Sequence, residues 1–181
     1  AAERVLRANG VTGVRIDRIK EKMINANKQM SWVPEHIKNG RFGKWLENAR
    51  DWAISRNRYW GCPLPIWRNE ETGEMICVGS VKELEELTGR KFDDIHKHYV
   101  DNVEIVSPKT GAILKRIPEV LDCWFESGSM PYAQKHYPFE NKERFDANYP
   151  ADFIAEGLDQ TRGWFYTLVV LAAALFDKPP A

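Results

Sequence analysis

No run of this sequence is apolar for long enough to cross a bilayer as a helix. The longest nearly apolar stretch, Trp164 to Phe176, has 13 residues, where a span needs roughly 20. No basic-then-apolar leader opens the chain, which argues against secretion. Cysteine is scarce: Cys62, Cys77 and Cys123 are odd in number and form no CxxC motif. A disulfide framework is therefore not expected, and a reducing, cytoplasmic setting is. Net charge is missing too, with 26 Lys and Arg against 26 Asp and Glu, while 43% of the 181 residues are hydrophobic. A disordered chain needs the opposite balance. What remains is enough chain for one globular domain or a large piece of a bigger enzyme, expected to be monomeric and without a membrane partner.

The neutral total conceals an asymmetry. Residues 1–60 carry 13 basic against 6 acidic side chains, a balance of +7, and residues 61–181 carry 13 against 20, a balance of −7. A basic first third suits an anionic partner, and equally suits a solvated surface with none.

Four stretches follow along the chain. Residues 1–14, broken by Gly10 and Gly13, read as a lead-in or linker. Residues 15–61 open with Ile16, Ile19, Met23 and Ile24 at helical spacing, which predicts an amphipathic helix over 15–29. Residues Trp32–Arg41 read as loop, Phe42–Arg50 as a short helix with Trp45 and Leu46 on its buried side, and Ala53–Arg58 as loop or a helix end. Residues 62–121 read as a small α+β insertion. Pro63 and Pro65 keep a central ladder strand from running through both, so an edge segment leading into a strand is expected. Asn69–Gly73 is a turn and Met75–Val78 a short strand. Ser80 with Glu83 makes a capping box for a helix ended by Gly89, and Lys91–Pro118 holds a hairpin at Ser107–Gly111. In residues 122–181, Asp152–Ala155 reads as a strand, Glu156–Gln160 as a polar turn and Thr161–Phe176 as a buried helix. Strand, glycine turn and helix make half of a βαβ unit, the place where open parallel sheets bind ligands.

Several constellations bear on chemistry. In Glu156-Gly157-x-Asp159-Gln160, carboxylates flanking a glycine suit ribose hydroxyls or an ammonium group. The glycine admits close approach to the backbone, and helix N–H groups favour phosphate. The plainer reading has Asp159 capping the helix. Seven tryptophans are many for this length. Most belong to packing, and Trp60, on an irregular segment between Arg58 and Pro63, is the best exception. Arg50, Arg56 and Arg58 suit an RNA backbone or a bare solvated loop. Cys77, His96 and His98 lack the four ligands and close cysteine pair of a tight zinc site, so no zinc or other metal site is predicted. Cys123 has no neighbouring histidine to activate it, and Glu35-His36 reads as a solvated pair.

Trp32-Val-Pro-Glu-His-Ile37, Arg41-Phe-Gly-Lys-Trp-Leu46 and Asp51-Trp-Ala-Ile-Ser-Arg-Asn-Arg-Tyr-Trp-Gly61 together resemble the class I aminoacyl-tRNA synthetases. Asp122-Cys-Trp-Phe-Glu-Ser-Gly-Ser-Met130 and Glu156-Gly-Leu-Asp-Gln-Thr-Arg-Gly-Trp-Phe165 narrow the resemblance to the isoleucyl members of that family, over residues 15–181. It implies an α/β fold: the second half of a Rossmann-like catalytic core, following an editing insertion, with a small α+β connective insertion. It implies that Glu156 and Gly157 contact an isoleucyl-adenylate, that Asp159 and Gln160 contact its ribose and amino group, and that Trp60 and Trp164 wall the isoleucine side-chain pocket. Arg50, Arg56 and Arg58 remain candidate RNA contacts. The partners implied for the intact enzyme are isoleucine, tRNA(Ile) and ATP, the last with Mg2+.

The departures matter. The HIGH motif is absent, with His36-Ile37-Lys38-Asn39-Gly40 only a look-alike, and the KMSKS loop would lie beyond Ala181. No catalytic residue is therefore assigned to the chain, which is expected to bind without catalysing. The alternatives are a non-catalytic RNA-binding module and a purely structural domain.

Overall fold

The computed structural model describes residues 13–181, so the expected lead-in lies, but for its last two residues, outside the described part. The described chain divides into two compact units, Val14–Trp52 with Cys123–Ala181, and Ala53–Asp122.

The first unit is helical. Helix α1 (Ile16–Gln29) buries Ile16, Ile19, Met23 and Ala26, the face that the spacing announced. Its entry is capped from far along the chain. Asp51 Oδ1 accepts the Ile16 N–H at 2.8 Å, and Asp51 Oδ2 pairs with Arg15 Nε at 3.0 Å. The loop expected over 32–41 is helical at its end. A π-helical turn, Lys38–Phe42, kinked at Gly40, runs into helix α2 (Gly43–Glu47). Asn27 organises it: its side-chain N–H donates to Lys38 O and its Oδ1 accepts Trp32 Nε1, both at 3.0 Å. Phe42 is fully buried beside them.

Helix α7 (Trp164–Leu175) is apolar nearly all round and buried over Thr167–Ala173, as a central helix must be. It packs against both α1 and helix α5 (Cys123–Ala133). Gly128 permits the second contact, since a Cβ there would stand 2.9 Å from Leu171 Cδ1. Helix α6 (Lys142–Asn148) completes the unit. The strand expected over 152–155 does not form: 151–157 runs as coil, anchored by the Ala151 N–H on Pro180 O at 3.0 Å.

The second unit is a small sheet with helices. The segment 53–58, expected to be loop or helix end, is extended. Ala53 ends strand β2 (Trp52–Ala53), the neighbour of β1 (Gly13–Val14), and β3 (Ser55–Arg56) pairs antiparallel with β8 (Val120–Leu121). The main sheet has the order β5-β4-β7-β6, from β4 (Ile66–Arg68), β5 (Met75–Cys77), β6 (Glu104–Val106) and β7 (Ile113–Arg116). Its three ladders are all antiparallel. Strand β4 begins one residue after Pro65 and is nevertheless central, because the missing N–H falls just outside the ladder. Helix α3 (Val81–Thr88) starts with Ser80 Oγ accepting the Glu83 N–H at 3.0 Å. The Glu83 carboxylate reaches Gly79 N–H rather than Ser80, at 2.7 Å. Gly89, at φ +67, ends it in the left-handed region, and a single turn, α4 (Lys97–Val100), follows.

Trp67, Leu84, Val103, Ile105 and Leu114 form this unit's core, with Trp67 Nε1 donating to Val103 O at 2.7 Å. Beside it the Arg116 side chain is 1% exposed. It donates to Asp101 Oδ1 and to the Leu64 and Glu119 carbonyls, so all its charge is answered inside the fold. Helix and sheet are thus both present, while the parallel doubly wound layer is not formed by these ladders.

Candidate functional site

The Glu156–Gln160 corner sits where coil enters the buried helix. Gly157 is extended (φ −64, ψ 157) and opens a short 3-10 helix, Leu158–Arg162. No special backbone conformation demands glycine here. A Cβ on Gly157 would stand 2.6 Å from Asp159 Oδ1, so the missing side chain is the room the carboxylate occupies. Asp159 does not cap α7. Its Oδ2 accepts from Gln160 Nε2 at 2.9 Å, and Gln160 Oε1 accepts the Trp164 N–H at 2.8 Å. The N-cap position is Gly163, so Gln160 supplies the capping acceptor from three residues earlier, and Asp159 is held by it from the solvent side. Glu156, Gly157 and Asp159 are all exposed. The result is an open acidic corner whose two carboxylates bracket a bare stretch of backbone, with geometry fixed by the helix behind it.

Gly163 belongs to the same construction and carried no sequence signal of its own. A Cβ there would meet Gln160 Oε1 at 2.6 Å and Trp124 Cη2 at 3.1 Å. Thr161 was also missed. It is 1% exposed, its hydroxyl donates to Leu158 O at 2.7 Å, and it accepts from Arg41 Nε at 3.1 Å. Arg162 lies over the Trp45 ring, 4.8 Å from its centroid.

Trp164 is half-buried, and its indole N–H donates to Ser127 O at 3.1 Å. The ring lines a cavity of about 250 Å³ with Met130, Tyr149, Ile154, Leu168 and Pro180 among its neighbours. In the other unit Trp60 is 71% exposed and stacks on His96, centroids 5.9 Å apart. Gly61 beside it, at φ +149, needs to be glycine on two counts, because its Cβ would also press to 2.9 Å from Val120 Cγ2.

The three arginines are not equivalent. Arg50 and Arg58 are exposed. Arg56 donates to Asp122 Oδ2 and to Ala53 O at 2.6 Å, and to Ser55 O at 2.8 Å. The Asp122 side chain is only 6% exposed, so the Arg56 guanidinium is consumed in neutralising it. The guanidinium thus makes a fold contact, with its side chain 32% exposed. Among the described residues no group of three or more His, Cys, Asp or Glu is placed to hold a metal ion. No described helix is long and apolar enough to cross a membrane.

The family model for tRNA synthetases class I (I, L, M and V) matches residues 7–181, starting inside the stretch that reads as a lead-in. Curated relatives include the isoleucine–tRNA ligases of Treponema denticola, 68% identical, and Protochlamydia amoebophila, 65% identical, each over 166 residues. The alignments cover 92% of this chain but 15% and 16% of the relatives, so the chain spans about a sixth of their length. Of solved structures, the ternary complex of Agrobacterium radiobacter K84 agnB2 LeuRS with tRNA and LeuAMS is similar over 82% of this chain and 22% of its own, at 23% identity and a TM-score of 0.49.

Proposed function

Because the chain belongs to the class I tRNA synthetases of the I, L, M and V group, we propose that it forms part of the site that activates isoleucine with ATP and passes it to tRNA(Ile). The observation that carries this reading is the open carboxylate corner, with Asp159 and Gln160 locked to each other and to the first turn of α7. Glu156 and the bare backbone at Gly157 receive the isoleucyl-adenylate, Asp159 takes ribose hydroxyls and Gln160 the amino group. Trp164 lines the side-chain pocket, a role supported by the cavity beside it, and Trp60 offers a second, exposed indole to the substrate. The coil at 151–157 and the helix after it then belong to the second half of a Rossmann-like core. Residues 62–121 are its connective insertion, in a cytoplasmic enzyme.

The reaction is in-line attack by the isoleucine carboxylate on the α-phosphate of ATP, releasing pyrophosphate, followed by acyl transfer to the terminal ribose of tRNA. No side chain becomes covalently attached, so positioning and charge stabilisation dominate. This chain's share is to hold the ammonium, the ribose and the side chain in register. Magnesium would accompany the ATP phosphates, and the described residues offer it no ligand set. An apolar pocket separates isoleucine from valine by only about 1–3 kcal/mol for one methylene, which leaves discrimination to an editing site elsewhere. The RNA-binding alternative is weakened by Arg56, whose charge is already answered by Asp122.

The test is binding of a sulfamoyl analogue of isoleucyl-adenylate, measured by calorimetry on the intact protein carrying this chain. Gly157→Ala keeps an accessible backbone but displaces the Asp159 carboxylate, and affinity is expected to fall about tenfold or more, the worth of one charged hydrogen bond. Unchanged affinity would remove the corner from the site. The chain alone, without HIGH or KMSKS, is expected to show little ATP–pyrophosphate exchange.

A further inference from the structure

The corner is held by the helix behind it, and also from the side by a residue 120 positions away in sequence. The Thr161 hydroxyl is buried inside the 3-10 turn. It donates to Leu158 O, closing the turn, and accepts the Arg41 Nε–H. Both hydroxyl roles are used, and each fixes the backbone between Gly157 and Gly163. Arg41 is itself pinned. It precedes the fully buried Phe42, and its π-helical turn is tied to α1 through Asn27 and Lys38 O. Gly43 lets that turn close tightly, since a Cβ there would stand 2.6 Å from Lys38 O.

We infer that Arg41 and Thr161 are positioning residues for the substrate corner: the Arg41–Thr161 hydrogen bond sets the pitch of the 3-10 turn and with it the placing of the Asp159–Gln160 pair. The inference rests on the proposed role of that corner. An exposed arginine bound through Nε to a buried hydroxyl does little for folding that a lysine or water does not do as well. Its geometric consequence is larger. The turn is five residues long, so a shift at Thr161 is transmitted directly to the two preceding side chains.

The experiment compares Thr161→Val, Thr161→Ser, Arg41→Met and Gly157→Ala in the intact protein. It follows affinity for the sulfamoyl adenylate analogue, KM and kcat in ATP–pyrophosphate exchange, and thermal unfolding. Thr161→Val and Arg41→Met are expected to weaken the analogue about tenfold, the effect of losing one charged hydrogen bond, raising KM more than they lower kcat. Thr161→Ser, which keeps the hydroxyl, is expected within about threefold of the parent, a margin set by the lost methyl. The double variant is expected to bind no worse than the weaker single one, because both remove the same bond. Loss of affinity on Gly157→Ala together with full affinity in Arg41→Met and Thr161→Val overturns the positioning role alone. Loss in Thr161→Val that serine fails to restore overturns it too, assigning the effect to packing. Full affinity in Gly157→Ala removes the underlying reading of the corner instead. Arg41 is at the surface, so its variant reports even where a buried Thr161 variant folds poorly.

Discussion

Replacing Gln160 separates the two duties of its side chain. Gln160→Leu removes both the acceptor for the Trp164 N–H and the donor to Asp159. Loss of a helix cap costs about 0.5–2 kcal/mol. The second bond joins groups open to solvent, so about 0.5–1 kcal/mol is the appropriate share. The sum, about 1–3 kcal/mol, corresponds to roughly 2–12 °C in unfolding temperature for a chain of this length. Gln160→Glu behaves differently. Its oxygen still accepts the Trp164 N–H, and a carboxylate at a helix start contributes about 0.3–1 kcal/mol. It now faces the Asp159 carboxylate, and two like charges at about 3 Å cost on the order of 1 kcal/mol in water-like surroundings. These nearly cancel, so Gln160→Glu is expected to unfold within about 2 °C of the parent at pH 7. Differential scanning fluorimetry at pH 7 tests this. Gln160→Leu unfolding with the parent, or Gln160→Glu falling as far as Gln160→Leu, would refute the capping argument.

Asp101→Asn leaves the buried Arg116 guanidinium short of its counter-charge, and denaturant titration should show a loss of about 2 kcal/mol, less than the 3–5 of a fully buried pair because Asp101 is part-exposed. Burial pushes the Asp101 carboxyl up, but hydrogen bonds from Lys97 and Arg116 outweigh it and leave it below its ordinary 3.8. That contribution is present above the ordinary value and lost as pH falls through the lowered one. The parent should therefore lose stability below about pH 4, the ordinary carboxyl range, and the variant should show a flatter acid limb. Arg56→Gln removes the guanidinium paired with the buried Asp122 carboxylate and should lower the unfolding temperature, with tRNA affinity at low salt unchanged. A drop in affinity with unchanged stability would return Arg56 to the RNA surface.

Helix α1, the Ser80 cap, the hairpin at 107–111 and the apolar α7 were legible in the sequence because their signals lie within one or two turns of the residues they govern. So was the corner itself, since a glycine between carboxylates before an apolar helix is a local pattern. The duties inside the corner were not. Whether Asp159 or Gln160 caps α7 depends on which side chain points back along the helix, and only the folded chain shows Gln160 taking the Trp164 N–H. The helical turn at Lys38–Phe42, the clamp of Arg56 on Asp122 and the bond from Arg41 to Thr161 join residues 11, 66 and 120 positions apart. No window of local spacing contains such pairs. They exist because packing α7 between α1 and α5, and β3 against β8, brings distant polar groups into places where water cannot serve them and a partner must.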